Sequence, residues 1–243
     1  MRVSLVHGVL LAAMLLTSRC TTQTDFTVHS NGSGKVSLRI ELSSVLIRYY
    51  SDLATGFLPN FDPKHPRIFD LEALGLRFAQ EKNLALTSAA TPTPDRLLAT
   101  FSFQNLESLF FDPKVGTVIS LEKKKGEETI RIRVNRDILK TILAWAPDTQ
   151  STLYRMLLPP ENKPVNEGEY RKQLVWALEE YAPEEELHAT FDKSRIEVRI
   201  HTPGPILQQK GGFQEGPSTV LFSLPLLTLL TASSEYELTY QRP

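Results

Sequence analysis

Apolar and polar residues alternate at several places along this chain. Phe26 and Val28 stand among polar neighbours, Val36, Leu38 and Ile40 repeat the pattern, and Asn31-Gly32-Ser33-Gly34 lies between. A period of two marks a strand with one buried face, and glycine supplies the positive φ of a tight turn, so residues 24–41 predict a β-hairpin. The period then lengthens. Ser43 precedes Val45, Leu46, Tyr49, Tyr50, Leu53 and Phe57, a spacing that predicts a capped amphipathic helix. Beyond Pro59, Pro63 and Pro66, Asp70 caps a second helix presenting Leu71, Leu74 and Phe78.

Residues 84–88 and 97–103 predict a second hairpin, turning at Thr91-Pro92-Thr93-Pro94-Asp95, after which Asn105 caps a helical turn reaching Phe110. Residues 117–122 and 129–134 predict a third, with a charged tip from Lys123 to Glu128. Asn135 opens a helix carrying Ile138, Leu139, Ile142 and Leu143 that stops at Pro147. "LRIELS", "TFSFQN" and "IRIRVN" each run an alternating strand into a capping residue, a weak echo of a repeated hairpin–helix unit.

Residues 148–167 are polar and proline-bearing and mark a boundary or insertion within one domain spanning 25–243. Asn166 and Glu169 have capping-box spacing before a helix with Tyr170, Leu174, Val175, Leu178 and Tyr181, ended by Pro183. Residues 187–191 and 196–200 predict a hairpin about Asp192-Lys193-Ser194, with His188 and His201 as cross-strand neighbours. "HTPGPI" and "KGGFQEG" predict a mobile loop. A strand at Val220 and Phe222, an apolar segment at 224–230 docked on the core, and a closing strand at 236–240 complete the chain. The fold class is therefore α+β: an antiparallel sheet built from successive hairpins, with four or five helices packed on it.

The N-terminus follows a different pattern. After Arg2, residues 3–16 are apolar except for Ser4, His7 and Gly8, and the run ends at Thr17-Ser18-Arg19-Cys20. A spanning helix needs about 20 apolar residues, so this shorter run predicts a signal peptide over residues 1–19. Leu16, Thr17 and Ser18 before Cys20 resemble the lipobox of bacterial lipoproteins, in the relaxed form of spirochaetes, with Arg19 departing from the usual small residue. The resemblance implies lipidation at Cys20, with residues 20–24 as a polar, acylated tether. An ordinary cleaved leader and a retained signal anchor are the other two readings of the same run.

Composition narrows the function. The 243 residues are 41% hydrophobic and 23% charged with a net charge of −1, about −3 once Arg2 and Arg19 leave with the signal peptide. That balance offers no basic excess for a phosphate backbone, which argues against nucleic acid as a partner. Cys20 is the single cysteine, so no internal disulfide and no Cys-x-x-Cys motif exists. His29, His65, His188 and His201 are scattered without metal-ligand spacing. The acids Glu179-Glu180 and Glu184-Glu185-Glu186 read as a solvated helix end, and Lys123–Lys125 as a plain hairpin tip. No phosphate-binding loop, nucleophile elbow or zinc-protease motif occurs, so neither a cofactor nor a catalytic residue is predicted.

The order of parts resembles small envelope lipoproteins of the LppM type, through Cys20, Asn31–Gly34, Pro203-Gly204 and Gly211-Gly212. That resemblance implies a non-enzymatic body anchored in the cell envelope, periplasmic or surface-facing, with the bilayer as one partner and a lipid or other amphiphile as a ligand. Tyr49, Tyr50, Phe57 and Phe78 are the candidates to line an apolar cavity, against the simpler role of filling the core. The alternatives are a surface module binding a protein partner, and a hydrolase whose site is assembled from distant residues.

Overall fold

The computed structural model describes residues 21–57, 61–63, 66, 68–79, 83–107, 119–134, 158–159, 165–232 and 234–243. Its first hairpin pairs β1 (Thr21–Val28) with β2 (Gly34–Glu41). Gly32 has φ +80°, and Asn31 Oδ1 accepts from both the Ser33 amide at 3.0 Å and the Ser33 hydroxyl at 2.7 Å. A side chain at Gly34 would land on the Thr27 carbonyl oxygen and the Phe103 ring, so only glycine lets these strands close.

Helix α1 (Ser44–Phe57) follows, its Leu46 amide donating to Ser43 Oγ at 3.2 Å, and α2 (Leu71–Phe78) is capped by Asp70, which accepts from the Ala73 amide at 2.9 Å. Strands β3 (Leu84–Thr93) and β4 (Arg96–Phe103) form a longer hairpin with a tighter turn, Pro94-Asp95, than the proline cluster predicts. Then come β5 (Ile119–Lys124) and β6 (Glu127–Val134), turning at Lys125-Gly126, and α3 (Glu167–Leu178), whose Glu169 amide donates to Asn166 Oδ1 at 2.8 Å. The predicted turn through Phe110 is described only to Glu107. The helix after Asn135 and most of 148–167 lie outside the described residues.

Four expectations are corrected. Residues 21–24 are not a tether but the first half of β1, with Thr22 and Thr24 buried; β-branched threonines suit a central strand flanked on both sides. Residues 187–191 are not a strand. They belong to α4 (Glu184–Lys193), because Leu187, Thr190 and Phe191 fall three and four apart on one buried face and Glu184–Glu186 favour a helix N-terminus. His188 is therefore on a helix and does not face His201.

The segment expected to be a mobile loop instead forms β8 (Ile206–Lys210) and β9 (Phe213–Gly216), held by pairing with neighbouring strands. Finally, the sheet is not purely antiparallel. β7 (Arg195–His201) runs parallel to β1, Thr21 opposite Arg195 and Thr27 opposite His201, because α3 and α4 carry the chain back before it joins the sheet.

With β10 (Thr219–Pro225), α5 (Leu226–Thr231) and β11 (Ser234–Gln241), two sheets result among the described residues. The larger has the order β3-β4-β2-β1-β7-β10-β9, the smaller β5-β6-β11-β8. Gly211 (φ +80°) packs against Tyr236 and Gly212 against Val220 and Phe222, so the chain passes closely from β8 of one sheet to β9 of the other.

One face of the large sheet holds the core, in two clusters. The first joins α1, α3, α4 and α5 to β7, β10 and β11; all four leucines of α5 are buried, and Tyr236 meets Phe222 edge-on at 5.8 Å. The second joins β2, β3 and β4 to α2 through Phe78. β1 lies between them. Its inward Thr22 sits between Ile40 and Ile196, its Thr24 between Leu38 and Val198, and neither hydroxyl has a hydrogen-bond partner among the described residues.

Candidate functional site

The opposite face of the large sheet is polar, and no helix packs on it among the described residues. Alternation along β1, β2 and β7 sends Gln23, Asp25 and Thr27, Lys35, Ser37 and Arg39, and Arg195, Glu197, Arg199 and His201 outward, and none of these is buried. Charged groups converge most closely at its β9 side. Arg199 donates from Nη1 to Asp25 Oδ1 at 3.1 Å, from Nε to Glu215 Oε2 at 2.7 Å, and from Nη2 to Glu215 Oε1 at 3.3 Å. The fork on Glu215 is bidentate, the geometry that orients a guanidinium most firmly.

His201 stands beside them, Nδ1 3.2 Å from Thr219 Oγ1 and Nε2 3.7 Å from Asp25 Oδ1. The Glu215 and Asp25 hydrogen bonds raise the Arg199 pKa, and the Arg199 hydrogen bond holds the Glu215 carboxyl below its ordinary value. At the edge, Phe213 is 69% exposed and stands opposite Leu221, which in turn stands opposite Arg199. The result is an open patch of fixed charge bordered by an aromatic ring.

Thr219, His201 and Asp25 have the residue types of a nucleophile, base and orienting acid. The distances do not support that chemistry: 3.7 Å is no hydrogen bond, and Arg199 already occupies the Asp25 oxygen that would orient the imidazole. Recognition of a polar surface is what this arrangement can do.

The outer face of the small sheet is a ladder of ion pairs. Arg131 bridges Glu122 at 2.6 Å and Glu237 at 2.7 Å, and Glu235 receives Arg133 at 2.9 Å and Lys210 at 3.5 Å. On its inner side, the Tyr240 hydroxyl donates to the buried carboxylate of Glu128, with Lys123 and Arg242 at 3.9 and 3.8 Å.

The residues nominated for a cavity do not come together. Phe78 is buried against Phe101 at 4.5 Å, Tyr49 meets Tyr181 edge-on at 5.6 Å, Tyr50 meets Phe61 at 5.9 Å, and Phe57 is 66% exposed. Phe78 and Tyr49 pack in different core clusters. Cys20 and His65 lie outside the described residues. His29 approaches Ser33 Oγ at 3.2 Å, His188 is 3.4 Å from Glu184, and no three His, Cys, Asp or Glu gather among the described residues.

Glu184–Glu186 form the first turn of α4, and at the hairpin tip Lys123 binds Glu107 at 2.7 Å and Lys124 binds Glu122 at 3.1 Å. The Arg199 group went unrecognised in the sequence. Its alternation in "RIEVRIH" is plain, but Asp25 lies 174 residues away and only the parallel pairing of β1 and β7 brings it near.

The fold and this face define an α+β body of two sheets with one open, charged sheet surface. No protein-family model matches the chain, and no curated protein sequence matches it. Among solved structures it is similar to the folded domain of the Mycobacterium tuberculosis LppM protein, determined by NMR. Identity is 10%, the TM-score is 0.42, and the match covers 92% of this chain and 90% of that one. A likeness so loose transfers no residue role and no activity. No helix among the described residues is long and apolar enough to cross a membrane.

Proposed function

We propose that this chain is a non-enzymatic lipoprotein of the bacterial cell envelope, held to a membrane by acyl chains on Cys20, that acts by binding. The supporting observation is the pattern of the first twenty residues, a short apolar run closing on Leu16-Thr17-Ser18 before the single cysteine, Cys20. Anchoring by two or more acyl chains is effectively stable.

Of the two binding readings, a lipid in an apolar cavity and a protein on an exposed surface, the second has more support. The helix aromatics are spent on packing partners or point to solvent, whereas the Asp25–Arg199–Glu215 patch with Phe213 and Leu221 is accessible. Labelled palmitate fed to producing cells tests the anchor: incorporation into the wild type and not into Cys20→Ser is the expected result. An unlabelled wild type overturns it.

A further inference from the structure

We infer that Asn31 is a self-modification site, deamidating through attack by the Gly32 nitrogen, and that the β1–β2 turn holds this reaction shut while the hairpin is closed. Asn31-Gly32 is the single Asn-Gly pair in the chain, and Asn31 is exposed. Glycine has no side chain to shield its own nitrogen. A Cβ placed on Gly32 would meet nothing within 4 Å, so bulk does not obstruct the approach either. Water is the one outside reagent the chemistry needs. The Gly32 nitrogen bonds to Asn31 Cγ, the Cγ–Nδ2 bond breaks, and ammonia leaves with the proton that the nitrogen gave up. Water then opens the succinimide ring at either carbonyl, giving aspartate or isoaspartate.

In the folded chain both reacting groups are held elsewhere. The Gly32 amide donates to the His29 carbonyl oxygen at 2.9 Å, and the Gly32 carbonyl accepts from the Leu106 amide at 2.8 Å, so the nucleophile is fixed from both sides. Asn31 Oδ1 accepts from the Ser33 amide at 3.0 Å and the Ser33 hydroxyl at 2.7 Å, and His29 Nδ1 lies 3.2 Å from that same hydroxyl. Below the turn, the His29 amide donates to the Ser33 carbonyl oxygen at 2.8 Å, and Val28 stands opposite Gly34. Two donors on Oδ1 would also stabilise the negative charge that builds there during attack. That gain is not realised while the Gly32 N–H is engaged, and turning the Asn31 side chain onto it breaks the Ser33 bonds. Restraint therefore wins, and the reaction runs through chains whose hairpin has opened. Conversion at residue 31 records that opening.

Peptide mapping by mass spectrometry tests the gate, on the whole chain aged in mildly alkaline buffer with and without guanidinium chloride. Conversion at residue 31 should be slower by at least about tenfold in the folded chain than in denaturant. Ser33→Ala keeps the amide donor and loses the hydroxyl; it should raise the folded-state rate by about fivefold and leave the rate in denaturant unchanged. Equal rates with and without denaturant overturn the gate. A folded-state rate that Ser33→Ala lowers or leaves unchanged overturns it too, since the hydroxyl would then be assisting attack or doing nothing. No conversion even in denaturant overturns the site itself.

Discussion

Tyr181 donates its hydroxyl to Asp52 at 2.7 Å, tying the corner between α3 and α4 to the middle of α1 across 129 residues of chain. Arg48 on the same helix reinforces the joint by donating to the Tyr181 carbonyl oxygen at 2.5 Å, and the Tyr49 ring meets the Tyr181 ring edge-on. Desolvation and the Asp52 hydrogen bond push the Tyr181 pKa up to about 12. A raised phenol pKa stabilises the fold below the ordinary tyrosine range near 10, and that stabilisation is lost as pH climbs through 12. Tyr181→Phe should cost about 1 kcal/mol near neutral pH and remove a step near 12 from the phenolate absorbance titration. Loss of a step nearer 10 instead would contradict the contact.

Thr22→Val and Thr24→Val should each raise stability by about 1 kcal/mol, since a buried hydroxyl without a partner carries a desolvation cost that an isosteric methyl lacks. Midpoints of urea unfolding measure this. A loss of stability would mean that the hydroxyls do have partners.

Gly34→Ala should destabilise by about 3 kcal/mol, because the added methyl collides with the Thr27 carbonyl oxygen and the Phe103 ring. Gly32→Ala meets no neighbouring atom and loses only the freedom to hold φ +80°, about 1 kcal/mol. The same unfolding assay compares the two, and equal costs would refute the close approach.

Acid should act through the outward carboxylates. Arg199 depresses the pKa of Glu215, and Arg131 that of Glu122. A carboxyl depressed in the folded state contributes stability above its ordinary pKa of about 4.5 that is lost as pH falls through the folded value. Thermal midpoints measured from pH about 6 down to about 3 should therefore fall more steeply in the wild type than in Arg199→Met. Parallel curves would show that the Arg199 pairing contributes nothing.

Tyr240→Phe leaves the buried Glu128 carboxylate without its hydroxyl donor and should cost about 2 kcal/mol. Tyr240→Phe combined with Glu128→Gln should recover part of that cost, because the charge is removed with its partner. Calorimetric unfolding decides it; a double variant less stable than the sum of the singles would rule out the coupling.

Local pattern alone determined a good deal of this protein. Period two at Val36, Leu38 and Ile40, the caps at Ser43, Asp70 and Asn166, and the glycine turn at 31–34 are short-range physics, decided within a few residues of backbone, and each is found where the pattern puts it. The tertiary structure decided the rest. Residues 187–191 have the composition of either element, and burial against Tyr170 and the α5 leucines selected the helix. Thr21–Thr24 read as a polar tether until flanking strands enclosed them. Arg199 found Asp25 only because β7 joined β1 in parallel, a pairing of residues far apart in the chain that no local preference encodes.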